Sequence, residues 1–111
     1  MAESLHKDLV AGRWGKMSIS EQMGNIGSEV GRAAKWEKKG DTIQRDRALD
    51  RAFELLDLSK EANIGRLALK EICRAREVLA DTFYGNREYG DTPEKLEKYF
   101  YQFALAARAG K

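Results

Sequence analysis

Residues Gly24–Ala34 read GNIGSEVGRAA, three glycines inside a stretch that otherwise has the pattern of a helix. Glycine in a helix interior costs about 1 kcal/mol relative to alanine, so each one calls for a reason. Two readings compete: a loop whose backbone approaches a phosphate, or a helix with a smooth face for another helix. A dinucleotide fingerprint needs G-x-G-x-x-G between a strand and a helix, and a Walker loop ends in Gly-Lys-Ser/Thr. Here the spacing is G-x-x-G-x-x-x-G, no strand pattern precedes it and no such ending follows. The helical reading fits better. Ser20, Gly24, Gly27, Gly31 and Ala34 fall at steps of 4, 3, 4 and 3, beside an apolar stripe of Ile19, Met23, Ile26, Val30 and Ala33 at the same steps. Small residues on one face let a second backbone come close. That second helix belongs either to the same chain, with Phe53 or Phe100 across the contact, or to another subunit.

Working outward, Ser18-Ile19-Ser20-Glu21 has the S-x-x-E form of a capping box, and Gly40 follows Lys38 and Lys39 as a stop. A second helix is expected from Asp41 or Thr42, with Ala48, Leu49, Ala52, Phe53, Leu55 and Leu56 on one broad face, fading at residues 61–65. A third runs from about Arg66 to Phe83 on a stripe of Leu69, Ile72, Ala75, Leu79 and Phe83. Gly85 ends it, and a turn-rich loop follows over residues 85–91. The fourth opens with Thr92 as N-cap, Pro93 at the first helical position and Glu94 in the first turn. Leu96, Tyr99, Phe100, Phe103 and Ala107 face inward, and Gly110 closes it. In front lie Leu5, Leu9, Val10, Trp14 and Met17 at roughly helical spacing, broken by Gly12 and Gly15. The expected fold is all-α: an antiparallel up-down four-helix bundle over residues 18–111 with an N-terminal arm over 1–17.

The bulk numbers agree. A chain of 111 residues suits one core, and one proline with few Val and Thr argues against a sandwich or barrel. No 18-residue apolar run is present, so no membrane partner is expected. The opening MAESLHKDLV carries acids and no apolar core, unlike a signal peptide. The single cysteine, Cys73, fits a reducing compartment, and the cytoplasm is the expected location. The net charge of +2 is uneven: residues 32–76 hold twelve Lys/Arg against eight Asp/Glu, and the segments on either side are each net −1.

The run Ile26-Gly27-Ser28-Glu29-Val30-Gly31-Arg32-Ala33 resembles the first-helix motif of the small four-helix-bundle family of ribosomal intervening-sequence proteins. The accessory variability proteins of diversity-generating retroelements belong to the same family. Its motif reads roughly Ile-Pro-Ser-Asn-Ile-Ala-Glu-Gly. Ile26, Ser28, Val30, Gly31 and Ala33 agree in type or size, while Glu29 stands where the motif has Asn and Arg32 where it has Glu. The resemblance implies a cytoplasmic bacterial bundle that forms a ring-like homo-oligomer. It also implies a basic surface that engages RNA, DNA or a reverse transcriptase.

The residues themselves offer three classes of site. Basic stripes come first: Arg32, Lys35 and Lys39 on the first helix, Arg47 and Arg51 on the second, and Arg66, Lys70 and Arg74 on the third. Such stripes either grip phosphates or serve as a solvated face paired with neighbouring acids. Trp36 within the first stripe either stacks on a base or wedges between helix ends. Contact surfaces come second. Trp14, Tyr84, Tyr89 and the glycines Gly24, Gly27 and Gly31 are candidates for a protein interface or self-association. Catalysis comes last. His6 is the only histidine, which leaves zinc, di-iron and Arg-x4–6-His RNase chemistry without ligands or base, and Cys73 has no histidine near it in sequence. Asp50, Glu54 and Asp57, with Glu77 and Asp81, could face one another over magnesium as in all-α nucleotide hydrolases. Equally, they could form a solvated face in which Arg51 and Arg74 pair with Glu54 and Glu77 on their own helices. The leading expectation is a non-catalytic homo-oligomeric adaptor without metal or cofactor, its basic face holding nucleic acid or a nucleic-acid enzyme. A protein-binding scaffold without nucleic-acid affinity is the alternative, and a magnesium-dependent hydrolase stands third.

Overall fold

The computed structural model describes residues 12–62 and 65–109, which are helical apart from turns, with no strand among them. After a helical turn at 12–14 come four long helices: α1 (Ile19–Lys39), α2 (Thr42–Glu61), α3 (Arg66–Tyr84) and α4 (Pro93–Ala109). The expected stops at Gly110 and the arm residues 1–11 lie outside the described residues.

Each boundary has a local cause. The Ser18 side chain accepts from the Glu21 amide while the Glu21 carboxylate accepts from the Ser18 amide, so two otherwise orphaned donors are satisfied at once. At the other end of α1, Gly40 takes φ 76°, a left-handed cap that a side chain would resist. Asp41 restarts the chain by accepting from the Gln44 amide. The Thr92 hydroxyl accepts from the Lys95 amide, with Pro93 in the first turn of α4, where no amide proton is needed.

α1 packs along much of its length against both α2 and α4, while α3 meets α2 and α4 more sparsely. Cross-helix pairs fix the register. Gly24, Gly27 and Gly31 of α1 lie against Ala104, Phe100 and Glu97 of α4, numbers rising on one helix as they fall on the other. Glu29 meets Arg51 and Glu37 meets Arg45 between α1 and α2, and Asp57 meets Arg76 while Asp46 meets Tyr84 between α2 and α3. Met23, Ile26, Leu49, Leu56, Ile72, Leu79 and Phe100 are fully buried in one continuous core. Each such side chain contributes about 1.5–3 kcal/mol through burial.

Several expected core positions differ. Leu69 is exposed and burial on α3 begins only at Ile72, because little is packed over the first turn, where Leu67 is 84% exposed. Phe53 and Leu55 of α2, and Tyr99, Phe103 and Ala107 of α4, are only partly covered. Polar residues complete the core instead: Gln22, Ser59 and Thr82 are buried. Thr82 returns its hydroxyl proton to the Val78 carbonyl. The Trp14 indole donates to Ser59 Oγ at 2.7 Å, and Gln22 Nε2 donates to the carbonyls of Trp14 and Met17. The first bond holds the segment before α1 onto the end of α2, and the other two tie it to α1 itself. Gln22 Oε1 is left without a partner among the described residues.

Candidate functional site

The glycine stripe decides how close α1 and α4 can approach. A Cβ on Gly27 would stand 2.6 Å from Phe100 Cβ, well inside contact distance, and one on Gly24 would stand 3.1 Å from Ala104 Cα. One on Gly31 would meet only the Glu97 side chain at 3.7 Å. Within the chain, then, the stripe faces α4 and Phe100 rather than Phe53. Along this seam the two helices enclose a groove of about 860 Å³, floored by the glycines and Ala104. Its walls carry Arg32 and Lys35 from α1, and Lys98, Tyr101 and Arg108 from α4.

The basic residues singled out by sequence fall on different faces. Arg32 and Arg51 converge on Glu29, whose side chain is only 8% exposed and accepts from both guanidiniums. Lys35 lines the groove, and Lys39 lies outside it with its ammonium 5.2 Å from the centre of the half-buried Trp36 ring. Arg47 is exposed on α2. On α3, Arg66, Lys70 and Arg74 are all exposed, one turn apart, and none is in an ion pair with a described residue. Arg51 and Arg74 do not pair with Glu54 and Glu77 as the spacing suggested. Arg51 instead pairs across to Glu29 of α1, and on α3 it is Arg76 that pairs across, to Asp57 of α2. Arg76 also lies over the Phe53 ring at 5.0 Å.

Of the aromatic candidates, Trp14 is 4% exposed and buried within the chain against Ser59. Tyr84 and Tyr89 lie on the surface, their hydroxyls donating to Asp46 and Glu77. Arg45 joins the first of these pairs, bridging Glu37 and Asp46 and lying 5.6 Å from the Tyr84 ring. Partial burial and the bond to Asp46 push the Tyr84 phenol up to about 12. The same bond and the Arg45 guanidinium hold the Asp46 carboxyl below its ordinary range. Tyr99 donates to Glu71 in a smaller cleft of about 290 Å³ between α3 and α4, with Arg74 beside it; burial first, then that bond, raise its phenol strongly.

The carboxylates considered for magnesium are spread out. Among the described residues no group of three or more His, Cys, Asp or Glu is placed to hold a metal. Asp57 is engaged by Arg76, Glu77 by the Tyr89 hydroxyl, and Asp81 by the Tyr89 amide. Among the described residues no helix is long and apolar enough to cross a membrane. Lys98, Tyr101 and Arg108 escaped the sequence reading because they form no basic run: Lys98 is mixed with Glu94 and Glu97, and Arg108 stands ten residues further on. Comparison with known proteins finds no matching family, curated protein or solved structure.

Proposed function

We propose that the chain is a non-catalytic adaptor, an antiparallel four-helix bundle that self-associates in the cytoplasm and binds nucleic acid through its basic surface. RNA or DNA is the direct partner on this reading, presented to an enzyme such as a reverse transcriptase. The observation that carries it is the α3 stripe: Arg66, Lys70 and Arg74 stand exposed at successive turns with no carboxylate paired to them among the described residues. Unpaired cations in a row keep their charge available for phosphates, whereas those that meet carboxylates, such as Arg51 and Arg76, are already partly neutralised.

Titrating labelled single-stranded RNA, structured RNA and duplex DNA between about 50 and 300 mM salt tests it, because phosphate contact makes affinity fall steeply with salt. The Arg66→Glu, Lys70→Glu, Arg74→Glu triple variant is expected to lose binding while keeping its helical circular dichroism. Absence of binding at the lowest salt would leave the protein-binding scaffold as the better reading. That reading draws on one observation of its own, the exposed Leu67 and Leu69 flanking the same stripe.

A further inference from the structure

The groove between α1 and α4 combines features that the α3 stripe lacks: cations on both walls, an exposed aromatic ring on one of them, and a floor of glycines and Ala104. Lys35 stands on the α1 wall and Lys98 and Arg108 on the α4 wall, and none of the three is in an ion pair with a described residue. Arg32 shares the α1 wall, but its guanidinium is held by Glu29. Two carboxylates oppose them. Glu94 lies 3.9 Å from Lys38, and Glu97 leans over Gly31, in no ion pair with a described residue. The uncompensated charge of the groove is therefore positive. Tyr101 is 55% exposed on the α4 wall, with the Arg108 guanidinium 6.0 Å from its ring centre.

We propose that this groove holds a single strand of nucleic acid, with phosphates on Lys35, Lys98 and Arg108 and an unstacked base on Tyr101. The proposal rests on the nucleic-acid reading above and adds the form of the strand and the residues that grip it. Three cations around an apolar floor complement a chain that is charged along its backbone and flat and apolar at its bases. An exposed ring favours the single strand over a duplex, because paired bases keep their faces inside the stack. The floor follows from the helix contact itself, since the glycines that admit α4 add no side chains of their own to it.

Fluorescence anisotropy of a labelled oligothymidine, titrated with the full chain, tests this. Lys35→Gln with Lys98→Gln is expected to weaken binding and to flatten the slope of log affinity against log salt by about 0.7 for each lost contact. Tyr101→Ala is expected to lose about tenfold in affinity and Tyr101→Phe to retain it, because the ring rather than the hydroxyl does the stacking. Glu97→Gln is expected to tighten binding about threefold, a gain that a damaged fold cannot produce. If the oligothymidine binds and these variants leave it unchanged, while charge reversal on α3 abolishes it, the groove is wrong and the nucleic-acid reading stands. Displacement by duplex DNA or polyglutamate as readily as by unlabelled oligothymidine would also overturn the proposal, by reducing the groove to a polyanion trap. No oligothymidine binding at low salt would overturn both.

Discussion

At the scale of single residues, the three glycines of α1 do different work although they look alike in sequence. Alanine at position 27 would gain about 1 kcal/mol of helix propensity but drive its Cβ into Phe100, a fully buried ring with no room to yield. Overpacking of this kind costs about 1–3 kcal/mol, so Gly27→Ala is expected to destabilise the protein in urea denaturation. Gly31→Ala meets only ordinary contact with a charged side chain, and the same measurement is expected to show a gain of up to about 1 kcal/mol. Opposite signs from two neighbouring glycines would mark out where the helices touch. Tyr84 yields a pH prediction. Its phenol is neutral in the folded protein up to about 12 but ionises near 10 once unfolded. The stability this contributes is complete below the unfolded value and is lost as pH rises from about 10 through about 12. Tyr84→Phe is expected to flatten that part of the stability–pH curve, as read by denaturant titration at several alkaline pH values.

At the scale of elements, helix ends were the most legible part of the sequence. Ser18, Gly40, Asp41, Thr92 and Pro93 act through bonds to residues within a few positions, and such local chemistry can be read without knowing the fold. Ser18→Ala, which removes one half of a reciprocal cap, is expected to cost about 1 kcal/mol in thermal unfolding. The stripes were legible in period but not in partner. Periodicity shows that Gly24, Gly27 and Gly31 share a face, yet which helix meets that face depends on the rotation of four helices at once. Leu69 kept the period and still emerged at the surface, because a stripe does not say where cover begins. Glu29 reads as one more surface acid and instead sits nearly buried beneath two arginines, one of them 22 residues away in sequence. The groove was the least legible part, since its cations come from two helices at opposite ends of the chain.

At the scale of the whole molecule, the helices are not equally held. α1 is packed against two neighbours, while α3 meets its own more thinly and exposes Leu67 and Leu69 at its start. Native-state hydrogen exchange is therefore expected to be faster in the amides of α3 than in those of α1, and equal protection would mean the two open together. The basic residues inherit this arrangement: Arg32, Arg45 and Arg51 are drawn into ion pairs with Glu29 and Glu37 along the best-packed seam, whereas on α3 Arg76 pairs with Asp57 and Arg66, Lys70 and Arg74 are in no ion pair with a described residue. The Trp14–Ser59 bond has an optical consequence. Of the two indoles in the chain, one is enclosed and donates its proton to a buried hydroxyl, while the other is half in solvent beneath the Lys39 ammonium. With Trp36→Phe the remaining fluorescence comes from Trp14 alone. Its emission should then sit to the blue while the segment before α1 is docked and move to the red when it lets go, so the protein carries its own gauge of that attachment.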